Sequence, residues 1–284
     1  MEKLIILCDY GLDDAVATIY LLNHSNLFSS IDIVAIAGNT DAQTSLINAK
    51  KILTAYEGDV SKVRLVDTTM IKQNFNVLAK VHGDDGIGGI LTEVKDDIVP
   101  VLSYNDWIKD PPRNQNAIMG SFGPCTVTKM IFDAWGEFPV LVMGGNVSEK
   151  PNYHEYEFNH YLDIPAFNAV VKSYDCVVAT LDTCRDKFFN LVHNPSKSDD
   201  LLGRFINRSR QLALARHPDR CFIYDFIATH YLVDRLMFYI NVKIDKENNI
   251  LRVLTLKTKY KAPEKKLNFL TLEPSNFYIE NDND

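Results

Sequence analysis

The stretch "ILCDYGLDDAVATIYLL", Ile6 to Leu22, places three carboxylates, Asp9, Asp13 and Asp14, where an apolar strand pattern hands over to an apolar helix pattern. A carboxylate at a helix N-terminus satisfies free backbone amides and faces the positive end of the helix dipole. That accounts for one or two of the three, and poorly for Asp9. Three like charges this close repel, and each loses hydration if the junction lies in a cleft. A hard cation such as Ca2+, which takes carboxylate and carbonyl oxygens, offsets both costs. On spacing alone, capping and cation binding both stay open. Gly11 suits a tight loop at the junction. An Asp-x-Asp nucleophile pair of the phosphohydrolase kind needs aspartate at position 7 or 11, and Leu7 and Gly11 stand there.

The elements that must position these residues alternate between short apolar runs and longer helix-period segments. "KLIIL", "IDIVAIAG" (31–38), "VRLV", "NAIMG", "FPVLVMGG" and "CVVATLD" have strand character. Between them, Ala15 to Leu22, "AQTSLINAKKILTAY" and the segment through Val127, Ile131 and Trp135 repeat at helical spacing. Near-continuous apolar strands separated by helices imply an α/β fold, a mostly parallel Rossmann-like open sheet covered on both faces. Right-handed crossovers put the strand C-termini along one edge, where ligands bind in such sheets. Asp9, Asn39, Gly120, Gly144 and Asp182 all fall just past expected strand ends, so distant stretches converge on that rim. Residues 186–235 read as mainly helical, including "FFNLVHN", and 239–279 as a strand-rich terminal part with turns at Lys261 and Lys265. The whole of 1–284 reads as one domain, with the "ENDND" tail frayed.

The chain has 284 residues, 46% of them hydrophobic, and a formal net charge of -7. That balance favours neither a nucleic-acid backbone nor an anionic membrane. The apolar runs are strand-length, too short to span a bilayer. The apolar run before Asp9 is too short for a secretory signal. Five cysteines without CxxC spacing read as reduced structural thiols in a cytoplasmic protein.

Taken in order, several stretches resemble the inosine–uridine preferring nucleoside hydrolases. "CDYGLDDAVA" is similar to their D-x-D-P-G-x-D-D-A signature and "AGN" (37–39) to their Asn-bearing second loop. "VHGDDGIGG" (81–89) resembles H-G-x-D-G-x-G-G, and "MGSFGPCT" (119–126) resembles G-P-L-T-N. "VLVMGGNV" and "EFNHYLD" look like the M-G-G and E-F-N-x-x-x-D blocks. "TLD" (180–182) resembles P-L-D, and "IYDFIATHYLVD" (223–234) the late H-D-x-x-A-x-x-x-L-x-D helix. The similarity runs over roughly 3–235.

The resemblance implies a nucleoside hydrolase fold and calcium-dependent cleavage of the N-glycosidic bond of ribonucleosides, in purine or pyrimidine salvage. It implies one Ca2+ held by Asp9, Asp14, Asp225 and the backbone carbonyl of Phe122. Asp9 would take a proton from the attacking water. Asp13, Asn39, Glu157 and Asn159 would meet the ribose, Asn159 with a catalytic part in steadying positive charge on the ring. Met143 would close the sugar pocket, and His82 would face the base. Relatives of this kind are homodimers or homotetramers.

Five positions depart from the pattern, among them Val127, where the family often has Asn. Leu7 replaces an Asp and Tyr10 a Pro. Pro151 takes the slot of an Asn expected at the 5′-hydroxyl, with Asn152 one place off. Tyr224 replaces the His that protonates the departing base, and its ordinary pKa near 10 suits that task less well at neutral pH. These departures also admit a catalytically weak or silent nucleoside- or ribose-binding relative that keeps the calcium site.

Overall fold

The computed structural model describes residues 1–73, 75, 80–112 and 116–257. Nine strands form one sheet in the order β4-β3-β2-β1-β5-β6-β7-β9-β8. They are β1 Lys3–Cys8, β2 Ile31–Ala35, β3 Val63–Asp67, β4 Val101–Ser103, β5 Ala117–Ser121, β6 Val140–Met143, β7 Cys176–Ala179, β8 Phe238–Ile244 and β9 Ile250–Leu256. Every pairing is parallel except β8 with β9, an antiparallel hairpin at the edge. The expected open, mostly parallel sheet is therefore the fold. The strand-like pattern beyond residue 257, and the turns at Lys261 and Lys265, lie outside the described residues, as does the terminal tail.

The strands are apolar on both faces because both faces are covered. On β1, Leu4, Ile6 and Cys8 join a core with α1 (Leu12–Asn23), α2 (Ala42–Ala55), α8 (Leu201–Arg216) and α9 (Tyr224–Val233). Ile5 and Leu7 point the other way, into a core with α3 (Tyr104–Trp107), α4 (Thr126–Trp135) and α6 (Ile164–Val170). Leu7 is fully buried there among apolar neighbours, so its apolar side chain suits its surroundings. Asp32, also fully buried, ties this face together. It takes Arg64 through both oxygens at 2.8 Å, the Trp107 indole N–H at 2.6 Å and Lys3 at 2.6 Å. A buried carboxylate is stable when matched by cations and donors in this way.

Strand order reverses between β1 and β5. The loops leaving their C-terminal ends part to opposite sides and open a crevice, the usual ligand position in a doubly wound sheet. The structure corrects several expected boundaries. β2 ends at Ala35 rather than Gly38, because the chain there turns over the β1 loop, with Gly38 N–H bonding Thr40 O. β6 covers 140–143 alone. β7 stops at Ala179, and Leu181 and Asp182 begin the short helix α7 (Leu181–Cys184). Gly120 lies within β5, not past it. In "FFNLVHN" only a single 3-10 turn forms, Lys187–Phe189. The short strand β4 had no counterpart in the sequence pattern.

Candidate active site

The loop between β1 and α1 carries the acidic group. Tyr10 turns the chain with φ 44, a left-handed value that the ring of proline could not adopt. Its side chain is fully buried, with the hydroxyl 3.3 Å from Thr18 Oγ1. Gly11 caps α1, and its N–H donates to Asp14 Oδ2 at 2.8 Å. Capping thus accounts for one oxygen of one aspartate. Asp14 Oδ1 and Asp13 Oδ1 are buried and have no hydrogen-bond partner among the described residues.

Asp225 arrives from α9, in the turn next to Tyr224. Asp13, Asp14 and Asp225 each offer an oxygen, and these atoms lie within 4.8 Å of one another. Asp9, on the same loop, is not one of those three, but its charge is among the causes that raise the pKa of Asp14 and Asp225. Both Asp9 oxygens are held by Asn39, at 2.8 Å from the backbone N–H and 2.9 Å from Nδ2. Thr40 Oγ1 donates to the Asp9 carbonyl at 2.9 Å. Gly38 makes this approach possible, because a Cβ there would fall 2.0 Å from Asp9 Oδ2.

Burial pushes the Asp9 pKa up to about 6, against the lowering effect of Asp14 and Asn39. Burial, followed by the charges of neighbouring carboxylates, pushes Asp14 and Asp225 well up too. Carboxylates so arranged repel until protons or a cation intervene. Two orphaned buried oxygens, an all-oxygen donor set and mutual proximity fit a hard divalent cation.

Above this floor opens a cavity of about 650 Å³. Asp13, Asn39, His82, Phe122, Met143, Asn152, Glu157, Asn159, Tyr224 and Asp225 all line it. Asp9 and Asp14 lie beneath, fully buried. Glu157 caps α5 (Phe158–Leu162), taking the N–H groups of Asn159, His160 and Gly145 at 3.0 Å each. Burial nevertheless pushes its pKa up to about 7. Asn159 Nδ2 is anchored on Met143 O at 3.1 Å and lies 3.5 Å from Phe122 O. Its side-chain carbonyl is the atom left for a ligand. Asn152 Oδ1 takes the Phe158 N–H at 2.8 Å, which fixes the loop before α5.

The glycine-rich loop presents His82. Gly86 has φ 82, and a Cβ there would meet the Tyr10 carbonyl at 2.9 Å, so this loop packs directly on the acidic one. His82 Nδ1 accepts the Leu12 N–H at 3.0 Å. Its 3.6 Å approach to Asp13 is therefore no ion pair. Burial lowers the His82 pKa, which keeps the ring neutral with its proton on Nε2.

Tyr224 is held from the other wall. Arg185 Nε donates to its hydroxyl at 3.5 Å, and Arg185 Nη1 donates to Lys150 O at 2.6 Å. Burial raises the Tyr224 pKa despite the nearby guanidinium. Arg185 and Thr40 had no signal in the sequence, and Gly38 entered only within "AGN". Gly38 and Thr40 flank Asn39 and could have been suspected from adjacency, but nothing distinguished Arg185 from a surface arginine. Asp182 anchors a neighbouring loop through the N–H groups of Val147, Ser148 and Glu149, and does not line the cavity.

Comparison with known proteins gives a consistent picture. A sequence model described as inosine-uridine preferring nucleoside hydrolase matches residues 4–273. The pyrimidine-specific ribonucleoside hydrolase RihA of Shewanella sp. (strain MR-4) is 26% identical over 181 residues, 61% of this chain. The match spans only 57% of that protein's length. Among solved structures, an inosine-guanosine nucleoside hydrolase superposes with TM-score 0.66 at 17% identity, covering 90% of this chain and 88% of its own. The purine-preferring ribonucleoside hydrolase from Gardnerella vaginalis gives 0.64 at 21% identity, covering 91% and 89%.

Proposed function

Because the chain belongs to the inosine-uridine preferring nucleoside hydrolase family, we propose that it hydrolyses the N-glycosidic bond of a ribonucleoside, releasing ribose and a free base. The observation that carries this is the gathering of Asp13, Asp14 and Asp225, with Asp9 beside them, at the floor of a cavity at the sheet's switch point. Asp14 and Asp225, clustered with Asp13, would hold a Ca2+, and the family resemblance adds Asp9 and the Phe122 carbonyl as ligands. A bound cation supplies positive charge that holds a water at the sugar and lowers its pKa.

The protein's own groups do the rest. Asp9 accepts a proton from that water, and Asn39 fixes the direction from which it does so. Asp13, Asn39, Glu157 and the Asn159 carbonyl meet the ribose and favour positive charge on its ring in the transition state. Met143 closes the pocket beside them. Neutral His82 offers its Nε2 proton toward the base. Tyr224, contacted by Arg185, would donate a hydrogen bond from its hydroxyl to the departing base where the family has a histidine. Asn152, one place off the family's Asn, would reach the sugar's 5′-hydroxyl through its amide Nδ2, since its Oδ1 takes the Phe158 N–H. The reading extends to a homodimer or homotetramer, checked by light scattering. It also includes a cytoplasmic setting, for which the five buried free cysteines argue. Among the described residues no helix is long and apolar enough to cross a membrane.

The test incubates the protein with inosine, uridine, cytidine and adenosine and measures free ribose with and without a chelator. Calcium-dependent release that is lost in Asp9→Ala is the expected result. Binding of nucleosides without release in any condition would instead mark a silent relative.

A further inference from the structure

A second charge pattern in the same cavity, taken together with the hydrolase reading on which it rests, narrows the substrate. The floor is acidic, but the cavity lining also includes Lys150, Arg185, Arg216 and Arg220. These four permanent cations converge in a chain whose formal net charge is -7. A neutral nucleoside leaves Lys150, Arg216 and Arg220 without a counter-charge among the described residues.

Two of the four, Arg185 and Arg216, are held in place. Arg185 is fixed through Nε and Nη1 on Tyr224 and the Lys150 carbonyl. Its contact with Glu149, 3.3 Å away, is with a carboxylate that is 44% exposed, and such exposed pairs are weak. Arg216 Nη1 donates to Val81 O at 2.5 Å, beside His82. Arg220 Nη2 lies 3.5 Å from His217 Nδ1. Among the described residues, Lys150, Arg216 and Arg220 enter no salt bridge. Guanidinium groups anchored by one edge, with other N–H groups to spare, are pre-organised for the oxygens of a phosphate. Lys150 is two residues before Asn152, on the loop that ends at Glu157. The cationic wall therefore adjoins the sugar position.

We infer that the substrate is a ribonucleoside 5′-monophosphate, with its ribose on the carboxylate floor and its phosphate against Lys150 and Arg185. With C1′ and the ring hydroxyls turned to the floor, the 5′ carbon is the one that carries a group outward toward the Lys150 loop. Arg216, the last residue of α8, and Arg220, just beyond it, extend the positive field around the cavity. Water adds across the glycosidic bond. C1′–O forms, the C1′–N electron pair leaves with the base, Asp9 takes the proton of the water, and the base takes up one proton. The products are ribose 5-phosphate and free base, with no change of oxidation state.

The experiment compares the wild-type chain with Lys150→Glu, both in Ca2+, on uridine, inosine and their 5′-monophosphates. Base release gives kcat/KM, and calorimetry gives the affinity for uridine and for its monophosphate. Lys150 is exposed, so the substitution leaves the fold intact. The expected result is a monophosphate advantage of at least about tenfold that shrinks with added salt and disappears in Lys150→Glu. Nucleoside cleavage with no monophosphate preference, and a ratio untouched by Lys150→Glu, overturns this inference and leaves the hydrolase reading standing. Tighter monophosphate binding abolished by Lys150→Glu, without base release from any substrate, supports the phosphate wall and overturns hydrolysis. Equal or absent binding together with no release overturns both.

Discussion

Tyr224 occupies the first turn of α9 directly before Asp225, and both line the cavity. A tyrosine whose pKa is raised by burial keeps its proton at neutral pH and acts through a hydrogen bond rather than as a readily ionised acid. Tyr224→Phe removes that donor while keeping the ring. We expect kcat to fall on the order of tenfold, with calorimetric affinity for the nucleoside nearly unchanged. An equal loss of affinity would place the hydroxyl in ground-state binding instead. The oxygens of Asp9 are held by Asn39, and burial raises its pKa to about 6 in the metal-free site.

At the scale of elements, the site is a meeting of loops packed so closely that glycine is needed between them. Gly38 lies over Asp9, with Pro124 on its other side, and a Cβ there would also come 2.8 Å from Pro124 Cδ. Gly38→Ala must therefore displace the Asp9 carboxylate or the loop after β5. The expected outcome is a fall in kcat of about 100-fold with an unchanged far-ultraviolet circular dichroism spectrum, since misplacing a reacting group by about 1 Å has effects of that size. Unaltered kcat would show that Asp9 has room that the packing denies it. The loop carrying Asn152 and Glu157 is fixed in a different way. Asp182 gathers its backbone amides from α7, and Glu157 closes it through the Gly145 N–H. This is why strand ends far apart in the chain present side chains to one cavity.

Across the whole molecule, the cost of the acidic floor appears in stability. Asp9 and Glu157 have pKa values raised to about 6 and about 7 from ordinary values of 3.8 and 4.5. The folded state binds their protons more tightly than the unfolded chain. That contribution to stability is full below pH 4 and is lost as pH rises toward 7. Asp32, whose pKa is lowered by Arg64 and Lys3, acts oppositely, and its contribution is lost only under more acidic conditions. Thermal unfolding in chelator should therefore give a Tm that falls between pH 5 and pH 7.5. Added Ca2+ should raise Tm more at pH 7.5, where the floor is ionised, than at pH 5. Equal Ca2+ effects at both pH values would argue against cation binding by these carboxylates. The sequence by itself determined the alternation of strands and helices, the parallel sheet and the three aspartates of the β1 loop. Local periodicity dictates elements, and carboxylates at a strand–helix junction are visible without a fold. The ordered motifs pointed further, to Asp225, Asn39 and Glu157. Only the tertiary structure decided that Asp13 joins Asp14 and Asp225, that Asn39 occupies both oxygens of Asp9, and that Arg185 reaches Tyr224. Those contacts are made across separations of 30 to 212 residues, by loops whose courses depend on glycine packing and backbone anchoring, and no local pattern in the chain encodes such distances.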